Sequence, residues 1–165
     1  MCGIVGQLNF DNSPVSPVIL KKMTDVIEHR GPNGEGQWIE ENIGFGHRRL
    51  SIIDLSPAGH QPMISGDQRY VLTYNGEIYN FRELRTELEA KGYRFRSQTD
   101  SEVVLYSLAE WGTDALLKFN GMFALAFWDR KEKNLLLARD RYGIKPLYYF
   151  QNDKKLVLDL SKKRF

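Results

Sequence analysis

Cys2-Gly3-Ile4-Val5-Gly6-Gln7-Leu8-Asn9-Phe10 alternates in character. Ile4, Gly6, Leu8 and Phe10 fall on one side of an extended chain, and Val5, Gln7 and Asn9 on the other. The spacing predicts a strand over Gly3–Phe10 with a thiol at its head. Such a strand holds a terminus that would otherwise fray. Working outward, Ser16-Pro17 fits an N-cap followed by proline at the first helical position. Leu20, Met23, Val26 and Ile27 then recur at helical spacing, which predicts a helix to about Glu28.

Arg30–Gly36 carries three glycines and a proline and reads as a loop. Gln37–Ile39 and Ile43–Arg48 read as a hairpin around Glu41-Asn42. Ile53–Gly66 reads as a long polar surface connection, of the kind that often carries function. Tyr70–Tyr74 is a strand that ends at Asn75-Gly76, a turn signal. Asn80 with Glu83 resembles a capping box, followed by the stripe Phe81, Leu84, Leu88 and a stop at Gly92. Asp100 or Ser101 caps a further helix, whose buried face is Val104, Leu105, Leu108 and Trp111. Met122–Trp128 and Leu135–Arg139 form a hairpin, and Leu147–Phe150 pairs with Lys155–Leu158. Six to eight strands and three helices, segregated instead of alternating, predict an α+β fold on largely antiparallel sheets.

With 165 residues, one domain is expected. The 23 basic and 21 acidic side chains nearly balance, which argues against a nucleic-acid binder relying on excess positive charge. The longest apolar runs, such as Gly121–Trp128, are too short to span a bilayer. Met1-Cys2-Gly3-Ile4 lacks a basic n-region, so no signal peptide is expected and the cytoplasm is the expected compartment. His29, His47 and His60 lack HxxxH-type spacing, against a metal site. No GxxxxGK[ST] phosphate loop occurs, and the Arg30–Gly36 glycines follow a helix, against a dinucleotide site.

The chain has one cysteine, which excludes an internal disulfide and a multi-cysteine metal site. Its position is informative. Initiator methionine is removed most readily before a small residue, and removal would put the Cys2 thiol and α-amine on one Cα. A terminal amine has a reference pKa of about 7.7–8.0 and a thiol about 8.5. The amine can therefore take the thiol proton, directly or through one water, without a histidine. Taken alone, a lone cysteine reads more readily as a small buried apolar residue. Attack by a thiol on an amide also needs an oxyanion hole. The Asn75 side chain and Gly76 N–H could supply one, with a plain hairpin turn as the bland alternative. A substrate bearing an α-carboxylate and an α-ammonium would need one cation and one or two anions. Arg49, Asp100 and Glu77 suit those needs. Singly, they also read as a surface charge, an N-cap and a solvated turn residue.

Seven motifs occur in order: Met1-Cys2-Gly3-Ile4, Arg30-Gly31-Pro32-Asn33-Gly34, the stretch His47–Asp54, Tyr74–Asn80, Thr99–Glu102, Phe119–Ala124 and Arg139–Tyr149. Together they resemble the N-terminal glutaminase domain of glutamine-hydrolysing asparagine synthetases, a class II (N-terminal nucleophile) glutamine amidotransferase. The resemblance covers residues 2–157 and implies a four-layer αββα sandwich. It implies Cys2 as nucleophile with its own amine as base, and Asn75 and Gly76 as the oxyanion hole. Arg49 would bind the carboxylate of L-glutamine, Asp100 and Glu77 its α-amino end, and main chain from Leu50, Ser51, Ile52 and Ile53 would line the pocket. The glutaminase reaction needs no cofactor.

In the family the ammonia passes to a C-terminal synthetase domain, where ATP adenylates aspartate and ammonia displaces AMP. No SGGxDS segment occurs in this chain. ATP and Mg²⁺, like a homodimer, are implied for the full-length enzyme only. Related proteins amidate other acceptors in surface-polysaccharide pathways, and a non-catalytic truncated remnant is a further alternative.

Two positions depart from the family. Asn33 stands where Asp is usual, and a small effect is expected because the flanking glycines remain. After Val157 the family continues with a Phe-Gly-Ser-Glu strand, whereas this chain reads Leu158-Asp159-Leu160-Ser161-Lys162-Lys163-Arg164-Phe165. Codons such as TTT-GGA-TCT-GAG, with one T deleted, encode Leu-Asp-Leu and begin Ser. Residues 158–165 are therefore expected to be a frameshifted tail on a C-terminally truncated product, with natural divergence as the alternative.

Overall fold

The computed structural model describes residues 2–50 and 59–159. The predicted alternation of the first strand holds. β1 (Gly3–Asn9) sends Ile4 into the space between two sheets and Val5 to the opposite face. α1 (Pro17–Val26) starts as expected, with Ser16 accepting from Ile19 N–H and Pro17 in the first turn. It stops at Val26, and Glu28–Arg30 forms a separate 3-10 turn.

β2 (Gly34–Glu40) and β3 (Ile43–Arg49) pair antiparallel along their whole length, from Gly34 opposite Arg49 to Glu40 opposite Ile43. That register draws Gly34–Gly36, expected in a loop, into the sheet. The second sheet contains β4 (Met63–Ile64), β5 (Tyr70–Ile78), β6 (Gly121–Asp129) and β7 (Asn134–Arg139). α2 (Phe81–Ala90), α3 (Asp100–Trp111) and the short α4 (Ala115–Lys118) lie between β5 and β6 in the chain. β8 (Tyr148–Gln151) and β9 (Lys155–Asp159) return to the first sheet, whose order is β2-β3-β1-β9-β8. Every strand pair is antiparallel.

Three apolar clusters define the layers. Val5, Val15, Leu20 and Ile27 join α1 to the outside of the first sheet. Ile4, Ile43, Phe45, Val71, Ala124, Ala126, Trp128 and Leu158 fill the space between the sheets. Leu72, Leu84, Leu88, Val104, Leu105 and Leu125 join the second sheet to α2 and α3. The result is an α+β fold of two antiparallel sheets between helical layers, the αββα order that the resemblance implies. Nine described strands exceed the expected six to eight. Among the described residues no helix is long and apolar enough to cross a membrane.

Three local readings need correction. Asn75-Gly76 is not a turn but the middle of β5, paired opposite Ala124 and Phe123. The long register with β6 overrides the local turn preference. The cap of α3 is Thr99, whose Oγ1 accepts from Glu102 N–H, so Asp100 is its first helical residue. Asn80 makes no capping bond. Its side chain braces the segment before β6, donating to Lys118 O and accepting from Asn120 N–H, both at 3.0 Å. Residues 160–165, most of the proposed tail, lie outside the described residues. Leu158 is buried between the sheets and Asp159 is also buried.

Candidate active site

Cys2 precedes β1, and β1 is hydrogen-bonded on both sides, to β3 and to β9. The half-buried thiol meets the main chain of Leu50, just past the end of β3. Leu50 N–H donates to Sγ at 3.4 Å, and Sγ–H points to Leu50 O at 3.7 Å. Arg30 closes the other side, donating from Nε to Cys2 O at 3.3 Å. Its buried Nη2 has no hydrogen-bond partner among the described residues. The 3-10 turn that ended α1 early is what carries Arg30 back to the terminus. Arg30 stands in the Arg30–Gly34 motif, where no sequence signal marks this contact.

Asn75 faces the space between the sheets on the same side of β5 as Val71, two pleats away. It is buried, and its Nδ2 has no hydrogen-bond partner among the described residues. A buried amide donor left unpaired costs roughly 1–3 kcal/mol. Such a group in a native fold asks for a functional explanation.

The Gly76 N–H follows from strand parity. Tyr74 turns its N–H and C=O away from β6, to Gln61 Oε1 at 2.7 Å and His47 Nε2 at 3.2 Å. Two residues on, Gly76 presents its N–H to the same edge. Its partner Phe123 agrees, since its C=O accepts from Asp140 N–H and its N–H donates to Asp140 Oδ2, both on the far side. β4 covers this edge only opposite Val71 and Leu72. A Cβ on Gly76 would lie 2.5 Å from Met122 O and 2.8 Å from Phe123 Cα, so β6 excludes any larger residue there.

Arg49 ends β3, directly before the residue that holds the thiol. Its guanidinium lies over Gly59, where a Cβ would come within 2.4 Å of Nη2 and 2.9 Å of Thr99 Cγ2. Gly59 thus brings the Arg49 cation beside the start of α3. Asp100 sits there, buried, and its Oδ2 accepts from Tyr74 O–H at 2.7 Å and Ile78 N–H at 3.1 Å. Burial raises the Asp100 pKa above the usual carboxylate value, while those two donors oppose the shift. Burial pushes the Tyr74 phenol well upward, and the charges of Asp100, Glu77 and Cys2 act in the same direction. Glu77 itself is exposed on β5.

The fold therefore gathers Cys2, Leu50, Arg49, Asn75, Gly76, Glu77 and Asp100 around the ends of β1, β3 and β5 and the start of α3. Ser51, Ile52 and Ile53 lie outside the described residues. Arg30, Gly59, Gln61 and Tyr74 belong to the same neighbourhood and were not predicted. No periodicity marks them, because each acts through a contact far away in the chain. Chemically, the cluster presents a thiol, amide N–H donors, and side chains of both charge signs.

The sequence matches the family model described as a glutamine amidotransferase domain over residues 1–163. It is similar to asparagine synthetase (glutamine-hydrolysing) 1 of Bacillus subtilis (strain 168), 46% identical over 154 residues, which cover 90% of this chain and 24% of that protein. Asparagine synthetase (glutamine-hydrolysing) 3 of the same organism is 43% identical over 153 residues, covering 90% and 25%. The chain spans about a quarter of the length of these curated relatives. The fold is similar to that of the glutamine phosphoribosylpyrophosphate amidotransferase from B. subtilis. There the TM-score is 0.80 at 19% identity, covering 96% of this chain and 42% of that one.

Proposed function

The chain belongs to the glutamine amidotransferase domain family, and we propose that it hydrolyses L-glutamine to glutamate and ammonia with Cys2 as nucleophile. One observation carries this reading. A half-buried thiol held by Leu50 main chain occurs together with a buried Asn75 amide that has no partner among the described residues.

With Met1 removed, the Cys2 amine accepts the thiol proton and Sγ attacks the side-chain amide carbon of glutamine. The carbonyl π pair moves to oxygen, where Asn75 Nδ2 and Gly76 N–H take up the charge. Collapse breaks the C–N bond, and the amine passes its proton to the departing nitrogen, which leaves as ammonia. Water, deprotonated by the same amine, then opens the γ-glutamyl thioester and returns glutamate and free thiol. Arg49 grips the α-carboxylate through two parallel hydrogen bonds. Asp100 and Glu77 take the α-ammonium. The lining role of Ser51, Ile52 and Ile53 rests on the sequence resemblance.

The ammonia is read as the nitrogen source for asparagine, made from aspartate by a synthetase segment such as the named relatives carry. The names of those relatives support this. No step above needs ATP or Mg²⁺, which belong to activation of the acceptor.

The test is expression of the chain, intact mass to establish Met1 removal, and glutamate release from glutamine, beside Cys2→Ala. Release by the wild type and none by the variant is expected. Equal release from both overturns the nucleophile assignment.

A further inference from the structure

Tyr74 is tied down at three points. Its N–H donates to Gln61 Oε1, its C=O accepts from His47 Nε2, and its phenol donates to Asp100 Oδ2 at 2.7 Å. The first two bonds fix the main chain immediately before Asn75. The third crosses from β5 to the first turn of α3. Because Thr99 caps α3, Asp100 is released from capping and can turn towards β5. Gln61 strengthens the same junction by donating from Nε2 to Ser101 Oγ at 3.2 Å.

We infer that Tyr74 is a positioning residue for substrate recognition: its phenol, with Ile78 N–H, locks the Asp100 carboxylate in the orientation that receives the α-ammonium of glutamine. The inference deepens the glutaminase reading and rests on it. A carboxylate has about four acceptor sites. Tyr74 and Ile78 fill two on Oδ2 and the Ser101 N–H takes a third, which leaves one for an ammonium. The phenol also donates to the charged form of Asp100, which burial disfavours. Among the described residues, the other charged or titratable groups at this junction are Glu77 on β5, Arg49 at the end of β3, His47 at the Tyr74 carbonyl, and Cys2.

Tyr74→Phe removes the O–H and keeps the buried ring. Its main-chain bonds to Gln61 and His47 do not involve the phenol. A hydrogen bond to a charged group is strong enough that KM for glutamine should rise about ten- to a hundredfold, with kcat within about twofold. The acid limb of kcat/KM should move to higher pH, because Asp100 loses a donor that favours its ionised form. The decisive comparison uses a glutamine analogue lacking the α-amino group, 4-carbamoylbutanoate, as a competitive inhibitor. Its inhibition constant should be the same for wild type and Tyr74→Phe, since it has no ammonium for Asp100 to hold.

An equal penalty for glutamine and the analogue assigns Tyr74 a general packing role and overturns the inference. So does an unchanged KM with an unmoved acid limb. Tyr74→Phe and Asp100→Asn should also be non-additive in KM, and additivity counts against the inference. Active wild type with any of these failures overturns this inference alone. Wild type that neither hydrolyses nor binds glutamine overturns the glutaminase reading and this inference with it.

Discussion

His47 Nε2 donates to the carbonyl oxygen of Tyr74 at 3.2 Å, so a side chain of β3 in the first sheet hydrogen-bonds the main chain of β5 in the second. The imidazole is fully buried, and desolvation pushes its pKa down to about 3. It is therefore neutral throughout the physiological range, with its proton on Nε2.

Stability should follow from that neutrality. An unfolded histidine takes a proton near 6.5, whereas the folded form resists protonation down to about 3. The stabilising contribution is complete above pH 6.5 and is lost as the pH falls through that window. The slope is at most about 1.4 kcal/mol per pH unit. Urea unfolding at pH 7, 6 and 5 should show a shallower acid loss in His47→Gln than in the wild type. Identical slopes would exclude His47 as the source.

Asn75→Ala should fold and still bind glutamine, because it deletes a donor that has no partner among the described residues. Loss of one oxyanion-hole donor costs about 10²–10³ in kcat. Steady-state glutamate release is the measurement, and a kcat within threefold of wild type would remove Asn75 from the hole.

Gly59→Ala should act through Arg49. The added Cβ must displace the guanidinium from a 2.4 Å approach. Misplacement of a binding group by about an ångström can cost up to roughly 10²-fold. KM for glutamine should rise at least about tenfold while the inhibition constant of an analogue lacking the α-carboxylate stays constant. A parallel rise for both would mean that the loop, and not Arg49, had moved.

Asp140 holds the turn after β7. Its Oδ1 accepts from Tyr142 and Ile144 N–H, and its Oδ2 from Phe123 and Lys145 N–H. Burial opposes its charge, but these four donors prevail and its pKa is lowered. Asp140→Asn turns an NH₂ group towards backbone donors and should cost about 3 kcal/mol, within the range for charged hydrogen bonds and an unsatisfied buried donor. Thermal unfolding at pH 7 checks this. The wild-type advantage is present above the unfolded carboxylate pKa and disappears as the pH falls through the lowered folded value.

Elements that carry their own periodicity were legible in the sequence. The alternation of Ile4 and Val5 put β1 between two apolar layers, and Ser16-Pro17 marked the start of α1. Local chemistry misled where a distant partner decided the outcome. Asn75-Gly76 has turn character, yet nine residues of β6 hold it straight. Asp100 has N-cap character, yet Thr99 caps the helix and frees the carboxylate for Tyr74. The proposed site residues came from residue chemistry together with motif resemblance. Their supports did not, because Gly59 under Arg49, Gln61 beneath Tyr74 and Arg30 over Cys2 exist only once the chain is folded.

The placement of β1 between β3 and β9 also sets an order of events during synthesis. Val5 pairs with Asp159 and Leu8 with Leu156, so a strand made early waits for one made roughly 150 residues later. At ribosomal rates of roughly 5–20 residues per second, that wait is on the order of ten seconds or more. Throughout it, the strand behind the thiol lacks one of its two neighbours. β1 and the thiol at its head are therefore first held by β3 and Leu50 alone, and β9 completes the sheet afterwards.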